Sequence, residues 1–288
     1  MPVNPLILGL LVAASAVPVQ AGSARIELEV VPGITAEADY WPGEADKPAV
    51  LILHGFLQTR EFPTVRRLAE ALADEGYSVL TPSLTLGLNR RRQSLACEAI
   101  HTHSLQQDLV ELRAWTAWLA QRTAKPPVLV GHSSGALQLA AMLDADPAPA
   151  IGQAVLISPS TFGEEQDPQR LAEYRARAAE QLARGDQEMH AYPLLYCTQY
   201  VTTAANLASY LDWDRERLRA ALSKGVGAPV TVIYGDRDEH VDQAWLAGLG
   251  AHGVGLRPVA GANHFFDLEH EFDLLDEVLE LISGARHG

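Results

Sequence analysis

The chain has 288 residues, 48% of them apolar and 20% charged, which excludes a disordered polymer and a helical membrane bundle. A formal net charge of −14 excludes a nucleic-acid partner, because phosphate binding needs clustered Lys and Arg, and the one basic run, Arg90-Arg91-Arg92, is too short to reverse it. The length fits one large domain or two small ones; the length prior leans towards two, but α/β folds of this size are commonly single.

Pro5 to Val19 is almost wholly apolar and uncharged, and it ends in Val19-Gln20-Ala21, a small-x-small pattern before Gly22. That is the anatomy of a secretory signal over residues 1–21, although its positive charge comes from the terminal amine alone. The expectation is a periplasmic or secreted protein with no membrane span once the signal is removed, the stretch being short and Ala-rich. Ile26 to Val30 and Ile34 to Trp41 alternate apolar and polar residues around Pro32-Gly33, which predicts an opening antiparallel hairpin.

The character then changes. Ala49 to Leu53 is a continuous apolar run ending at His54-Gly55, as in a strand buried on both faces. Helical spacing of Val65, Leu68, Ala69 and Leu72 predicts a helix over Pro63 to Glu75, with Pro at its start and Gly76 at its end. Tyr77 to Leu80 reads as a strand. Ser104-Leu105-Gln106-Gln107 reads as a capping box opening a long helix that Pro126-Pro127 breaks. Val128 to Val130 is a strand, Gly135 to Leu143 a helix and Ala154 to Ile157 a strand. Pro159 to Gly227 has no buried-strand character and reads as helical. It carries Tyr192, Tyr196, Tyr200, Tyr210 and Trp213, whose spacing favours packing over a pocket lining. Strands resume at Val230 to Tyr234 and Leu256 to Val259, and an amphipathic helix bearing Leu275, Val278, Leu279 and Ile282 ends the chain. Strands alternating with helices imply a mostly parallel sheet covered on both faces.

Gly131-His132-Ser133-Ser134-Gly135 fits G-x-S-x-G. The pentapeptide alone is common. Here a buried strand stops directly before it and a helix starts directly after, which is the setting of a nucleophile elbow. On these residues the chain resembles the α/β-hydrolase family. The resemblance extends over roughly residues 48 to 284 and implies an eight-stranded, mostly parallel sheet with a helical lid at about 160–227.

Carried over residue by residue, the resemblance makes Ser133 the nucleophile. The family's oxyanion loop falls at His54-Gly55-Phe56, which implies that the amides of Phe56 and Ser134 hold the oxyanion, with Leu57 an alternative to Phe56. The strand-G-x-x-D spacing in Gly235-Asp236-Arg237-Asp238 selects Asp238 as the acid, with Asp236 the nearer alternative; Asp242 reads as a helix N-terminal residue. Gly261-Ala262-Asn263-His264 matches the family's G-x-x-H loop and makes His264 the base. The order Ser, Asp, His is the one this fold uses. An imidazole must be deprotonated to take the serine proton, so activity is expected to rise with pH through its titration.

The implied function is hydrolysis of a carboxylic ester through an acyl-enzyme, on a small-molecule ester or acyl substrate, with no cofactor and no metal. Thioester, amide and carbon–carbon bond cleavage use the same triad, and a ligand-binding protein on the same fold is the reading from another class. Cys97 and Cys197 are either a disulfide, formed in an oxidising compartment, or two half-buried thiols. His101-x-His103 hints at a metal pair but has no further ligand nearby, and Arg90 to Arg92 reads as a solvated loop.

Overall fold

The computed structural model describes residues 22–145 and 149–284, so the signal expected over residues 1–21 lies outside the described residues. The first two strands, β1 (Ala24–Val31) and β2 (Ile34–Trp41), form the expected antiparallel hairpin. Alternation follows: β3 (Val50–Leu53), α1 (Pro63–Asp74), β4 (Val79–Ser83), α2 (Leu105–Ala120), β5 (Val128–His132), α3 (Ser134–Asp144) and β6 (Gln153–Ile157). An insertion then holds α4 (Pro168–Ala183), β7 (His190–Leu194), β8 (Cys197–Thr202), α5 (Ala204–Leu211) and α6 (Arg215–Lys224). The chain returns through β9 (Val230–Gly235), α7 (Gln243–Gly250), β10 (Gly255–Val259) and α8 (His270–Ser283).

The main sheet has eight strands in the order β1-β2-β4-β3-β5-β6-β9-β10. Only the β1–β2 and β2–β4 pairings are antiparallel. Successive residues of a strand face opposite sides, so a strand covered on both faces must be apolar throughout. Val50 and Ile52 pack with Val65, Leu68 and Leu72 of α1 and Leu274, Val278 and Ile282 of α8. Leu51 and Leu53 join Leu112 and Trp115 of α2 and Leu137 of α3 on the other face. The capping box forms at the start of α2: Gln107 N donates to Ser104 Oγ at 3.4 Å, and Ser104 N to Gln107 Oε1 at 2.8 Å.

Two expectations need correction. β4 runs over Val79–Ser83 rather than Tyr77 to Leu80; its polar end, Thr81 to Ser83, is buried because it pairs with β2. The insertion is also not wholly helical, since β7 and β8 form an antiparallel hairpin. Pro193 within β7 hid that signal, because proline removes a ladder donor and argues against a strand.

The hairpin is stitched to the segment before α2. Cys97 and Cys197 form a disulfide across 100 residues, with Cα atoms 5.3 Å apart. Beside it, His101 N donates to Val201 O at 2.8 Å and Thr202 Oγ1 to His101 O at 2.7 Å. A loop of this length restricts the unfolded chain strongly, so Cys97→Ser with Cys197→Ser is expected to cost about 2–5 kcal/mol. Urea unfolding of this variant, beside oxidised and reduced wild type, checks it; a midpoint equal to oxidised wild type would refute the expectation.

Candidate active site

β5 delivers Ser133 to the end of the sheet, where the chain must turn at once into α3. Ser133 adopts φ 58° and ψ −127°, a left-handed conformation that side-chain-bearing residues avoid and that costs about 1–3 kcal/mol. Backbone bonds hold it there: Ser133 N donates to Ile157 O at 2.9 Å, and Ala136 N to Ser133 O at 3.0 Å. The two glycines of the pentapeptide are required by space. A Cβ on Gly131 would stand 2.8 Å from Ala136 Cα, and one on Gly135 would stand 2.3 Å from His54 O. Ser133 is half-buried at the floor of a cleft of about 230 Å³ whose walls include Phe56, Leu195, Tyr196 and His264. Glu165 and His240 also line it, with Glu165 Oε1 3.2 Å from His240 Nδ1.

Asp238 follows β9 and is 4% exposed. Its Oδ2 lies 2.9 Å from His264 Nδ1, and its Oδ1 accepts His240 N at 2.9 Å. Burial raises the pKa of this carboxyl. The hydrogen bond and charge of His264, the Ser158 hydroxyl and the His240 amide together outweigh that, and hold it below its ordinary value. An ionised carboxylate only accepts, so Nδ1 carries a proton, and in the neutral ring Nε2 is left with its lone pair. Asp236 is exposed and its Oδ1 accepts Gly261 N at 2.7 Å, so Asp238 and not Asp236 meets His264. Asp242 caps α7 through Trp245 N at 3.0 Å, as the sequence suggested.

The loop after β3 comes up against Ser133: a Cβ on Gly55 would lie 3.2 Å from Ser133 Cβ. Among the described residues, the amides of Phe56 and Ser134 donate to no protein acceptor. Leu57, the alternative donor, has φ 57°, and its carbonyl accepts Leu95 N at 3.1 Å.

Several supporting residues escaped the sequence reading. His54 Nε2 accepts Leu84 N at 3.2 Å, so its Nδ1–H donates to Gly55 O at 2.8 Å; burial, with Arg91 nearby, pushes its pKa down to about 3. His132, the variable position of the elbow, is brought by burial and by His264 to about 4. As a neutral ring it meets His264 O through Nε2 at 2.8 Å and thereby steadies the histidine loop. A histidine following the first buried strand was the available signal for His54; nothing in the spacing marked His132.

The basic run divides. Arg90 and Arg92 are partly exposed and pair with Glu27 and Glu37, but Arg91 is buried, contrary to the expected solvated loop. His101 and His103 are both engaged by tyrosines of the insertion. The His101 ring stacks on Tyr200 at 3.9 Å, and His103 sits between Tyr200 Oη at 3.1 Å and Tyr210 Oη at 2.5 Å. Of the insertion aromatics, Tyr192, Tyr200, Tyr210 and Trp213 are buried packing residues, whereas Tyr196 is 53% exposed and lines the cleft. No helix among the described residues is long and apolar enough to cross a membrane.

The family model described as "Alpha/beta hydrolase family" matches residues 50–277. Among solved structures, the chain is similar to Est1E from Butyrivibrio proteoclasticus, with 17% identity over 92% of this chain and 98% of that one and a TM-score of 0.62. It is similar to the thioesterase domain from the curacin biosynthetic pathway, with 20% identity, 90% and 100% covered and a TM-score of 0.59. A Pyrococcus furiosus esterase matches with 16% identity, 91% and 90% covered and a TM-score of 0.59. No curated protein matches the chain significantly.

Proposed function

The chain belongs to the alpha/beta hydrolase family, and from that premise we propose that it is a serine hydrolase that cleaves a carboxylic ester through an acyl-enzyme on Ser133. The observation that carries the reading is the 2.9 Å bond between Asp238 and His264 Nδ1 beside a cleft that holds both His264 and Ser133. Neutral His264 takes the Ser133 proton as Oγ attacks the acyl carbon, and Asp238 stabilises the imidazolium that forms. The amides of Phe56 and Ser134 receive the oxyanion, each contributing about 3 kcal/mol to the transition state. His264 then protonates the leaving alcohol, and an activated water releases the acid.

The insertion over about 160–227 acts as the lid, because Leu195 and Tyr196 from its hairpin turn wall the cleft. Export to the periplasm or beyond is supported by the signal-like N-terminus and by the Cys97–Cys197 disulfide, a bond that is favoured in an oxidising compartment.

Incubation with p-nitrophenyl esters of short to long acyl chains is expected to give a burst of one p-nitrophenolate per chain. Mass spectrometry should then find the acyl group on the Ser133 peptide. Matched thioesters and anilides are expected to turn over more slowly. Faster turnover of the thioester would move the assignment to a thioesterase. Absence of both burst and adduct would reject the hydrolase and favour a ligand-binding protein.

A further inference from the structure

Arg91 is 5% exposed, and among the described residues no carboxylate lies within hydrogen-bonding distance of it. All four of its hydrogen bonds go to main-chain carbonyls. Nε donates to Leu84 O at 2.6 Å, Nη2 to Gln58 O at 2.6 Å, and Nη1 to Gln93 O at 2.9 Å and Leu57 O at 3.4 Å. Burying a guanidinium with only dipoles for partners is costly. Burial brings its pKa down to about 10 against the pull of the Glu111 and Asp108 charges, so it remains a cation at neutral pH.

Two of the four carbonyls belong to Leu57 and Gln58, the residues directly after Phe56. Leu57 has φ 57°, a conformation that persists only where its surroundings hold it. Two further bonds reach this loop, from Leu95 N to Leu57 O at 3.1 Å and from Tyr196 Oη to Phe56 O at 3.2 Å. A planar fork with five N–H groups can span four carbonyls at once; an ammonium cannot.

We infer that Arg91 is a positioning residue that clamps the loop after β3, so that the Phe56 amide stays aimed at the oxyanion. The inference rests on the proposed ester hydrolysis for its kinetic consequences but not for its effect on the loop. An oxyanion donor that is misplaced by about 1 Å costs on the order of 100-fold in rate.

Arg91→Lys and Arg91→Ala in the full chain are therefore expected to lower kcat by about 10–100-fold with KM within about threefold of wild type. Affinity for a trifluoromethyl ketone, which forms a tetrahedral adduct on Ser133, should fall in step with kcat/KM. Guanidinium, and not methylammonium, should restore part of the Arg91→Ala rate. Amide hydrogen exchange over residues 54–58 should quicken in both variants and slow again with guanidinium. Exchange there unchanged from wild type would overturn the clamp, as would a rate loss explained by the unfolded fraction alone. Should Arg91→Ala fail to fold, Arg91→Lys carries the test. If wild type turns over no ester, the hydrolase reading fails, and exchange over residues 54–58 still decides the role of Arg91.

Discussion

Ser133→Ala is expected to cut kcat on the preferred ester by about a millionfold, the scale on which nucleophile loss acts in serine hydrolases. The substitution removes only Oγ. Alanine keeps the Cβ, so the strained φ of 58° is neither relieved nor worsened, and the elbow glycines still make their close approaches. Melting temperature should therefore stay within a few degrees of wild type. The amides of Phe56 and Ser134 would remain, and the rate that survives would report what they contribute without covalent chemistry. Labelling by a fluorophosphonate probe should be complete in wild type and absent in the variant. A variant that still labels would move the nucleophile elsewhere; a wild type that never labels would mean Ser133 is not activated.

Asp238→Asn is expected to lower kcat by about 10,000-fold with little change in KM. The asparagine amide would present N–H to His264 Nδ1 and force the imidazole proton onto Nε2, the nitrogen that must accept from Ser133. Stability gives an independent reading. The carboxyl of Asp238 lies below its ordinary value in the folded protein, so it adds stability above the ordinary carboxylate range. That contribution is lost as pH falls through the folded value, and the variant lacks it. The difference in melting temperature between the two proteins should thus be largest near neutral pH and shrink in acid. Equal melting temperatures at neutral pH and an unchanged kcat would assign the carboxylate role to another residue.

Element order, and the positions of Ser133, Asp238 and His264 at strand ends, were legible because they depend on short-range patterns. A parallel sheet covered on both faces needs continuous apolar strands, and Ala49 to Leu53 and Val128 to Val130 declare themselves in a few consecutive residues. The elbow likewise needs glycine where another backbone passes within 3 Å of where a Cβ would stand, and Gly131 and Gly135 stand four residues apart in plain view. Asp236 against Asp238 stayed open, because two carboxylates in one turn differ only in which loop they meet. The structure brings Asp238, and not Asp236, to His264, 26 residues further along the chain.

Partners distant in the chain were beyond local pattern. Arg91 looked like one of three solvated arginines, since burial among the carbonyls of Leu57, Gln58, Leu84 and Gln93 leaves no mark on its neighbours. His132 meets His264 across 132 residues, and the pairing of Cys97 with Cys197 spans 100. The β7–β8 hairpin was hidden because a two-stranded ribbon is stabilised by what it packs against more than by its own sequence. Periodicity and turn chemistry, which act over a few residues, thus determined the scaffold and the order of its chemical groups. Tertiary packing alone decided which polar groups would be buried together and which loops they would hold in place.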